Sequence, residues 1–419
     1  MAERIEADYL IETAHDPDAA AEAMAGEQSS GTFVAIPGET AELKARSAAQ
    51  VVSVETVETA TKPALPGASQ PVTGQAGDQP FRRAKVTLSW PLDNLGPSLP
   101  NLMATISGNL FELKQFSGLR IEDLRMPDAF ADAYPGPKFG VAGTRKLAGV
   151  SQGPLIGTII KPSIGFSADE TASLTRTLVD ANIDFIKDDE LQSDGLICPF
   201  EDRARAVMAV INDAADRTGK KVMFAFNITG DLDQMRKRHD MVVELGGSCV
   251  MASLNSVGLV GMIELGRYTE LPIHAHRNGW GYLSRHPQLG WSYIAWQKFW
   301  RLAGADHLHV NGLQNKFCED DDSVIASAKE CLKPIFAHKP CTVMPVFSSG
   351  QTATQPPETY RRFGSSDLIY AAGGGIMGHE DGPAAGVGAL RQSWVAATTG
   401  IDIDAHAKSH PALAKALVS

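Results

Sequence analysis

The sequence has few cysteines, and none of them forms a CxxC pair. Its 419 residues include only five, Cys198, Cys249, Cys318, Cys331 and Cys341, which are scattered along the chain. A disulfide framework or a structural zinc site needs paired or regularly spaced cysteines. The cysteine pattern therefore excludes both and indicates thiols that stay reduced.

Basic residues and long apolar segments are also in short supply. There are 38 Lys and Arg residues against 49 Asp and Glu residues, a formal net charge of −11, which argues against a nucleic-acid or anionic-membrane partner. The longest uncharged stretch, residues 245–263, is interrupted by glycines and makes a poor membrane span. The segment MAERIEADYL carries charges too early for a signal peptide, so we expect a cytoplasmic protein. A small phosphorylated substrate remains compatible with the net charge, because the charge of a site is local.

The chain reads as an α/β protein of two domains. Residues 1–135 mix strand-like and helix-like segments around a Pro/Gly/Ser/Gln-rich loop and predict an α+β domain. Residues 136–419 repeat a β-branched run, a polar break and a helical segment, which predicts a (β/α)8 (TIM) barrel with a short helical tail from about residue 400. The eight strand-like runs are 155–162, 184–190, 221–230, 248–256, 271–279, 306–312, 342–350 and 367–375.

Functional groups of such a barrel lie at the carboxyl ends of its strands, where the βα loops meet. Charged or hydrogen-bonding residues close nearly every predicted strand, whereas ordinary turn chemistry would close only some of them. The candidates are Lys161, Lys187, Asp189, Glu190, Asn227, His274, His276, Arg277, His309, Asn311, Ser348 and Gly373–Gly375.

The segment DFIKDDE holds the most informative local pattern. Strand residues alternate faces, so Lys187 and Asp189 point the same way, and Glu190 joins them where the strand ends. Two carboxylates suit Mg²⁺, which prefers oxygen ligands. The ammonium of Lys187 cannot bind a cation unless CO₂ converts the amine to a carbamate. The alternative, an exposed acidic turn, is disfavoured by the position directly after a buried run.

Three further features point to an anionic substrate. GGGIMG (373–378) lies too late in the chain for a dinucleotide fold and favours a phosphate cradle of backbone amides together with Ser348 and Gly350, although a simple tight turn is the alternative. Lys316, in the loop after the sixth run, either reaches a bound anion or is a solvated surface lysine. The histidines near Arg277 favour proton transfer and anion binding.

These residues resemble the large subunit of ribulose bisphosphate carboxylase/oxygenase (RuBisCO) and the RuBisCO-like proteins. The resemblance covers residues 5–400 and includes GTIIKPSIGFS, DFIKDDE, IHAHR, DHLHVNG, PVFSSG and AAGGGIMGH. It implies a Mg²⁺ site formed by carbamylated Lys187, Asp189 and Glu190, with CO₂ as activator. It also implies catalytic roles for Lys161, Lys316 and His276, and substrate or phosphate binding by Arg277, His309, Ser348, Gly350, Gly373 and Gly374.

The resemblance extends into the first domain. EQSSGTF supplies Glu27, Thr32 and Phe33, and ISGNLFELK supplies Asn109. In the family these groups complete the active site of a neighbouring subunit. The resemblance therefore implies a homodimer whose active site is shared between subunits.

Departures from the carboxylase pattern indicate which branch of the family the chain resembles. Ser163 stands where carboxylases have a second lysine, Trp280 replaces a histidine, and the closing loop reads NKFCED. The resemblance therefore favours a RuBisCO-like (form IV) carbon–carbon lyase or hydrolase. This enzyme would form a Mg²⁺-stabilised enediolate on a phosphorylated 3-oxo sugar acid, such as 3-oxo-isoapionate 4-phosphate, and act by decarboxylation or by transcarboxylation with hydrolysis.

Several alternatives stay open at this stage. The first is enolisation or isomerisation in methylthioribulose phosphate metabolism. A true carboxylase, a non-catalytic RuBisCO-like protein and a Schiff-base aldolase that uses Lys161 are the others.

Overall fold

The computed structural model describes residues 3–31, 36–69 and 80–418. The chain divides into two compact units. The first contains the described residues up to Tyr134 and a second segment, Gly279–Phe299; the second contains Pro135–Asn278 and the chain from Trp300 onward. The segment Gly279–Phe299 lies within the stretch that we assigned to the barrel, yet it packs with the first unit.

The burial pattern of each strand depends on whether one or both faces of its sheet are covered. In the first unit, alternate residues of the first strand (Ile5, Ala7, Tyr9 and Ile11) are buried, as expected of a sheet with one covered face. The barrel strands are buried at almost every position. Among the described residues, the strands in chain order are β1 (Arg4–Thr13), β2 (Gln50–Ala60), β3 (Phe81–Pro91), β4 (Phe116–Arg125), β5 (Leu155–Ile159), β6 (Phe185–Lys187), β7 (Met223–Asn227), β8 (Cys249–Ser253), β9 (Ile273–His276), β10 (Leu289–Trp291), β11 (His307–His309), β12 (Met344–Phe347) and β13 (Ile369–Ala371).

These strands form two sheets. The first unit holds a five-stranded sheet in the order β10-β4-β1-β3-β2, in which β1 runs antiparallel to β3 and β4 while β10 runs parallel to β4. The second unit holds a closed parallel barrel in the order β11-β12-β13-β5-β6-β7-β8-β9. The eight barrel strands fall within the eight predicted runs, so the predicted fold class is confirmed.

Helices connect the strands, and several begin and end at residues suited to those positions. A capping box joins Ser167 to Glu170 at the start of the helix Ala168–Asp180. Glycines in the left-handed region end four other helices, Gly140–Ala148, Phe200–Thr218, Pro356–Phe363 and Pro383–Thr399. Among the described residues, no helix is long and apolar enough to span a membrane. The helices are α1 (Pro17–Glu27), α2 (Ala41–Ser47), α3 (Leu99–Ile106), α4 (Ala129–Ala133), α5 (Gly140–Ala148), α6 (Ala168–Asp180), α7 (Phe200–Thr218), α8 (Leu232–Glu244), α9 (Leu254–Tyr268), α10 (Trp280–Ser284), α11 (Tyr293–Ala303), α12 (Asp321–Leu332), α13 (Pro356–Phe363), α14 (Gly374–Met377), α15 (Pro383–Thr399), α16 (Ile403–Ala407) and α17 (Pro411–Ala416), with 3-10 turns at Leu92–Asn94 and Leu110–Glu112.

Candidate active site

Lys187 and the two carboxylates after it lie at the carboxyl end of β6. Lys187 is fully buried, and its Nζ donates to the carbonyl oxygen of Asp188 at 2.6 Å and lies 3.6 Å from Glu190 Oε2. Burial lowers the pKa of Lys187, although the neighbouring carboxylates act against this shift. The structure therefore places an amine that is disposed to lose its proton beside two acidic side chains.

Lys161 joins this group from the loop after β5. Its Nζ donates to Asp189 Oδ2 at 2.6 Å and to Ser163 Oγ at 2.8 Å. Burial acts to raise the pKa of Asp189, but the hydrogen bond from Lys161 and other donors hold it below its usual value. The side chain of Lys161 is 41% exposed, whereas that of Asp189 is 2% exposed. Lys161 is therefore the lysine of this cluster that solvent reaches, and a buried carboxylate orients it.

His276, at the end of β9, faces the same cluster. Its Nδ1 accepts the backbone N–H of Asn278 at 3.2 Å, so in the neutral ring Nε2 carries the proton, and Nε2 lies 3.5 Å from Glu190 Oε2. Burial lowers the pKa of His276 to about 4. The ring of His276 also packs edge-on against that of His309, with 4.5 Å between the ring centroids.

Arg277 is held by a carboxylate from the loop after β11. Its Nη2 donates to Glu319 Oε2 at 2.7 Å, and Asn311 Nδ2 donates to the same oxygen at 2.6 Å. We expected Arg277 to meet a phosphate; in this structure Glu319 is the anion that it binds. Glu319 was not among the predicted residues, and its only signal in the sequence is an acidic side chain three positions after Lys316.

Four of the residues expected to bind phosphate follow β12 and β13, and one of them, Gly374, is the first residue of α14. Ser348 Oγ lies 3.0 Å from His309 Nδ1. Gly350 has a φ of +86°, which favours glycine, and a Cβ built there would lie 3.7 Å from the backbone nitrogen of Lys316. A Cβ at Gly373 would lie 3.9 Å from Lys161 Cε, and one at Gly374 would meet open space. Gly373 thus lies beside the lysine cluster.

Lys316 is anchored through its backbone, while its side chain is exposed. Its N–H donates to the carbonyl oxygen of Ser349 at 3.3 Å, and its Nζ lies 5.4 Å from the centroid of the Phe317 ring. The structure therefore places Lys316 against the loop after β12, with its ammonium on an aromatic ring.

Two of the residues predicted in the first domain, Glu27 and Asn109, lie in the described part of the first unit. Glu27 is the last residue of α1, and Asn109 is an exposed residue that precedes a 3-10 turn. The side-chain oxygen of Gln28 accepts the backbone N–H of Asn109 at 3.0 Å when its amide is oriented so that the nitrogen donates to Thr105. Glu27 is therefore adjacent in sequence to a residue that contacts Asn109. Thr32 and Phe33 lie outside the described residues.

A buried ion pair between Arg203 and Asp188 joins the DFIKDDE segment to α7. Arg203 on α7 and Asp188 are both fully buried, with Nη2 3.2 Å from Oδ2, and the backbone N–H of Asn227 donates to the same oxygen at 2.9 Å. The side chain of Asn227 donates to the carbonyl oxygens of Asp189 and Glu190. Asn227 was predicted as a strand-end residue. Arg203 was not predicted, because in the sequence it is one charged residue of an amphipathic helix.

Family models match both parts of the chain. The ribulose bisphosphate carboxylase large chain N-terminal domain matches residues 7–130, and its catalytic domain matches residues 140–419. The chain therefore belongs to the ribulose bisphosphate carboxylase large chain family, as its motifs predict.

Two relatives and one solved structure match the chain over nearly its full length. The chain is 60% identical to a 3-oxo-isoapionate-4-phosphate transcarboxylase/hydrolase from Xanthobacter autotrophicus over 100% of this chain and 99% of that protein. It is 44% identical to a 3-oxo-isoapionate-4-phosphate decarboxylase from Rhizobium rhizogenes, over 98% and 96% of the two chains. The crystal structure of a rubisco-like protein from Burkholderia fungorum matches with a TM-score of 0.92 and 46% identity over 99% of each chain.

Proposed function

We propose that this chain cleaves a carbon–carbon bond of 3-oxo-isoapionate 4-phosphate, by carboxyl transfer followed by hydrolysis. The observation that carries the proposal is the cluster of Lys161, Asp189, Lys187 and Glu190 at the strand ends, in a chain that shares 60% identity with the Xanthobacter enzyme over its full length. Decarboxylation of the same substrate is the second candidate, favoured by the identity of 44% to the Rhizobium enzyme. The methylthioribulose phosphate reaction has no comparable support.

The donor groups of the cluster fit a Mg²⁺ site. A cation bound by Asp189 and Glu190 would gain a third oxygen ligand if Lys187 carried a carbamate, and water and substrate would fill its other positions. Carbamylation by CO₂ requires the neutral amine, and burial of Lys187 favours that form. The site would then offer oxygen ligands only, which is the set that Mg²⁺ prefers. Mg²⁺ bound there would polarise the ketone oxygen of the substrate.

Lys161 is the residue that we assign to proton transfer at carbon. The carbanion released by carbon–carbon cleavage must gain a proton, and we assign that proton to the Nζ of Lys161, which donates to Asp189 and Ser163. Its partial exposure leaves the amine open to the space above the strand ends. His276, at the same end of the barrel, supplies a neutral N–H toward Glu190.

The remaining predicted residues bind and orient the substrate in this proposal. Arg277 and Lys316, with the backbone amides of Gly350, Gly373 and Gly374, would hold its anionic groups. Ser348 would accept a hydrogen bond from a substrate hydroxyl, and His309, 3.0 Å from Ser348 Oγ, would orient that serine. Arg277 must then exchange Glu319 for a substrate anion.

We also infer a homodimer, in which Glu27, Thr32 and Asn109 complete the site of the other subunit, and a cytoplasmic location. The inferred location is supported by the free thiols of all five cysteines.

The test compares two lysine variants with the proposed substrate. Lys161→Met removes the proposed proton carrier, and we expect kcat to fall by roughly 10²–10⁴-fold. Lys220→Met is the matched control, because Lys220 also lies 2.6 Å from a buried aspartate, Asp184, at the opposite end of β6. We expect the control to retain wild-type kcat. Equal effects of the two substitutions would refute the role of Lys161, and wild-type protein without activity would refute the proposed function.

A further inference from the structure

Three buried histidines form a continuous chain inside the barrel. His274 on β9 and His307 and His309 on β11 are 0%, 0% and 5% exposed. His309 Nδ1 lies 3.0 Å from Ser348 Oγ, and its Nε2 lies 2.7 Å from His274 Nε2. The other nitrogen of His274, Nδ1, lies 3.4 Å from His307 Nδ1. Each ring nitrogen of His274 and His309 thus faces a partner within the chain.

The contacts of His307 with Thr144 determine which atom donates in each hydrogen bond between the histidines. His307 Nε2 lies 2.8 Å from the hydroxyl oxygen of Thr144 on α5, and that oxygen lies 2.5 Å from the carbonyl oxygen of Gly140. Two oxygens at 2.5 Å repel each other unless a proton lies between them, and a carbonyl oxygen carries none. The Thr144 hydroxyl therefore donates to Gly140 and accepts from His307, which places the ring proton of His307 on Nε2.

The proton position on His307 fixes the donor and the acceptor in each of the other hydrogen bonds between the histidines and Ser348. Burial lowers the pKa of all three histidines, that of His307 to about 3, so each neutral ring carries one proton. With its proton on Nε2, His307 accepts at Nδ1 from Nδ1–H of His274. His274 then accepts at Nε2 from Nε2–H of His309, whose Nδ1 accepts the hydroxyl proton of Ser348. Two hydroxyls and three neutral rings supply one proton for each hydrogen bond between Ser348 and Gly140.

We propose that Thr144 is a positioning residue, which sets the tautomers of His307, His274 and His309 and turns the hydroxyl proton of Ser348 into the barrel. Ser348 is then a hydrogen-bond acceptor, not a donor, toward a bound substrate. If every donor and acceptor in these hydrogen bonds were exchanged, His309 would donate to Ser348, and the hydroxyl of Ser348 would be free to donate to a phosphate oxygen. The assignment of tautomers rests on this geometry and on the burial that keeps the three rings neutral, whereas its effect on turnover rests on the proposed function.

The tautomers are measurable without any substrate. Long-range ¹H–¹⁵N correlation spectra of the whole protein labelled with ¹⁵N-histidine distinguish Nδ1–H from Nε2–H rings. Single His→Gln variants assign the signals. We expect Nε2–H for His309 and His307 and Nδ1–H for His274 in the wild-type protein. Nδ1–H on His309, or a charged ring among the three at pH 8, would overturn the proposal.

Variants of Thr144 test its role. Thr144→Val removes the hydroxyl at similar volume, so we expect the unique tautomer pattern to be replaced by a mixture, whereas Thr144→Ser should keep it. Thr175→Val is the matched control, because Thr175 is also fully buried and bonds the carbonyl oxygen four residues before it, at 2.8 Å, without a histidine partner. An unchanged pattern in Thr144→Val would overturn the proposal.

Kinetics provide the second readout. Misdirection of one buried hydrogen bond should lower kcat/KM by about tenfold in Thr144→Val, mainly through KM, and leave Thr144→Ser and Thr175→Val unchanged. An equal loss in Thr175→Val would show a merely structural effect and refute the positioning role. Wild-type protein that shows the expected tautomers but no turnover would refute the proposed function and leave the tautomer assignment intact.

Discussion

Replacing Arg203 with methionine should leave a charged carboxylate buried without its counter-charge. Arg203 and Asp188 are both 0% exposed, and their closest nitrogen–oxygen distance is 3.2 Å. Arg203 also donates to the carbonyl oxygens of Ser193 at 2.8 Å and Cys198 at 3.1 Å. Methionine retains much of the packing volume but none of these donors.

The magnitude follows from the burial of both partners. Removing one member of a buried ion pair costs about 3–5 kcal/mol of stability, because the remaining charge is desolvated and unpaired. Arg205→Met is the matched control on the same helix: its pair with Glu201 is 58% and 52% exposed, so we expect a loss below about 1 kcal/mol. Adding Asp188→Asn to Arg203→Met removes the unpaired charge and should recover at least about 1 kcal/mol.

Urea unfolding of the four proteins, followed by circular dichroism, measures these differences. We expect Arg203→Met to have the lowest unfolding midpoint and the double variant to lie between it and the wild type. Arg203→Met with the same midpoint as Arg205→Met would refute the reasoning, as would a double variant less stable than the single one.

Three further predictions concern pH, metal binding and a buried carboxylate. Burial lowers the pKa of His307 to about 3 against an unfolded value of 6.5, so its contribution to stability is complete above pH 6.5 and is lost as the pH falls toward 3. Between pH 8 and pH 5, the free energy of unfolding of the wild type should fall by about 2 kcal/mol more than that of His307→Gln, as measured by urea unfolding. Equal decreases in the two proteins would contradict this. In titration calorimetry, Mg²⁺ should bind in the presence of bicarbonate and fail to bind to Lys187→Met; binding by that variant would remove Lys187 from the site. Asp306→Asn should lower the free energy of unfolding by about 2 kcal/mol, because Asp306 accepts three backbone N–H groups at 2.7–2.9 Å and an amide NH₂ cannot accept all of them; an unchanged urea midpoint would refute this.

The barrel was predictable because its signals are local. Each strand is a short apolar run, and the polar residue that ends it is adjacent in sequence, as in the pairing of β6 with Lys187. Since all strands of a parallel barrel point the same way, this local information also placed the candidate residues at one end.

Other features depend on contacts between distant residues and left no local signal. The segment Gly279–Phe299 joins the first unit through β10, whose three residues pair with β4 about 170 residues earlier in the chain. The partners of Arg203 and Arg277 were hidden for a similar reason. Their charges are ordinary in sequence, and only the fold brings Asp188 and Glu319 to them.

The most direct test of the proposed function is to identify the products. Carbon and phosphorus NMR of the purified protein with Mg²⁺, bicarbonate and 3-oxo-isoapionate 4-phosphate should show phosphoglycerate and a two-carbon acid, with one water consumed and no net release of CO₂. Release of CO₂ with a ketose phosphate would identify the decarboxylase instead. Substrate that remains unchanged in the presence of both activators would contradict the proposal that this chain cleaves its carbon–carbon bond.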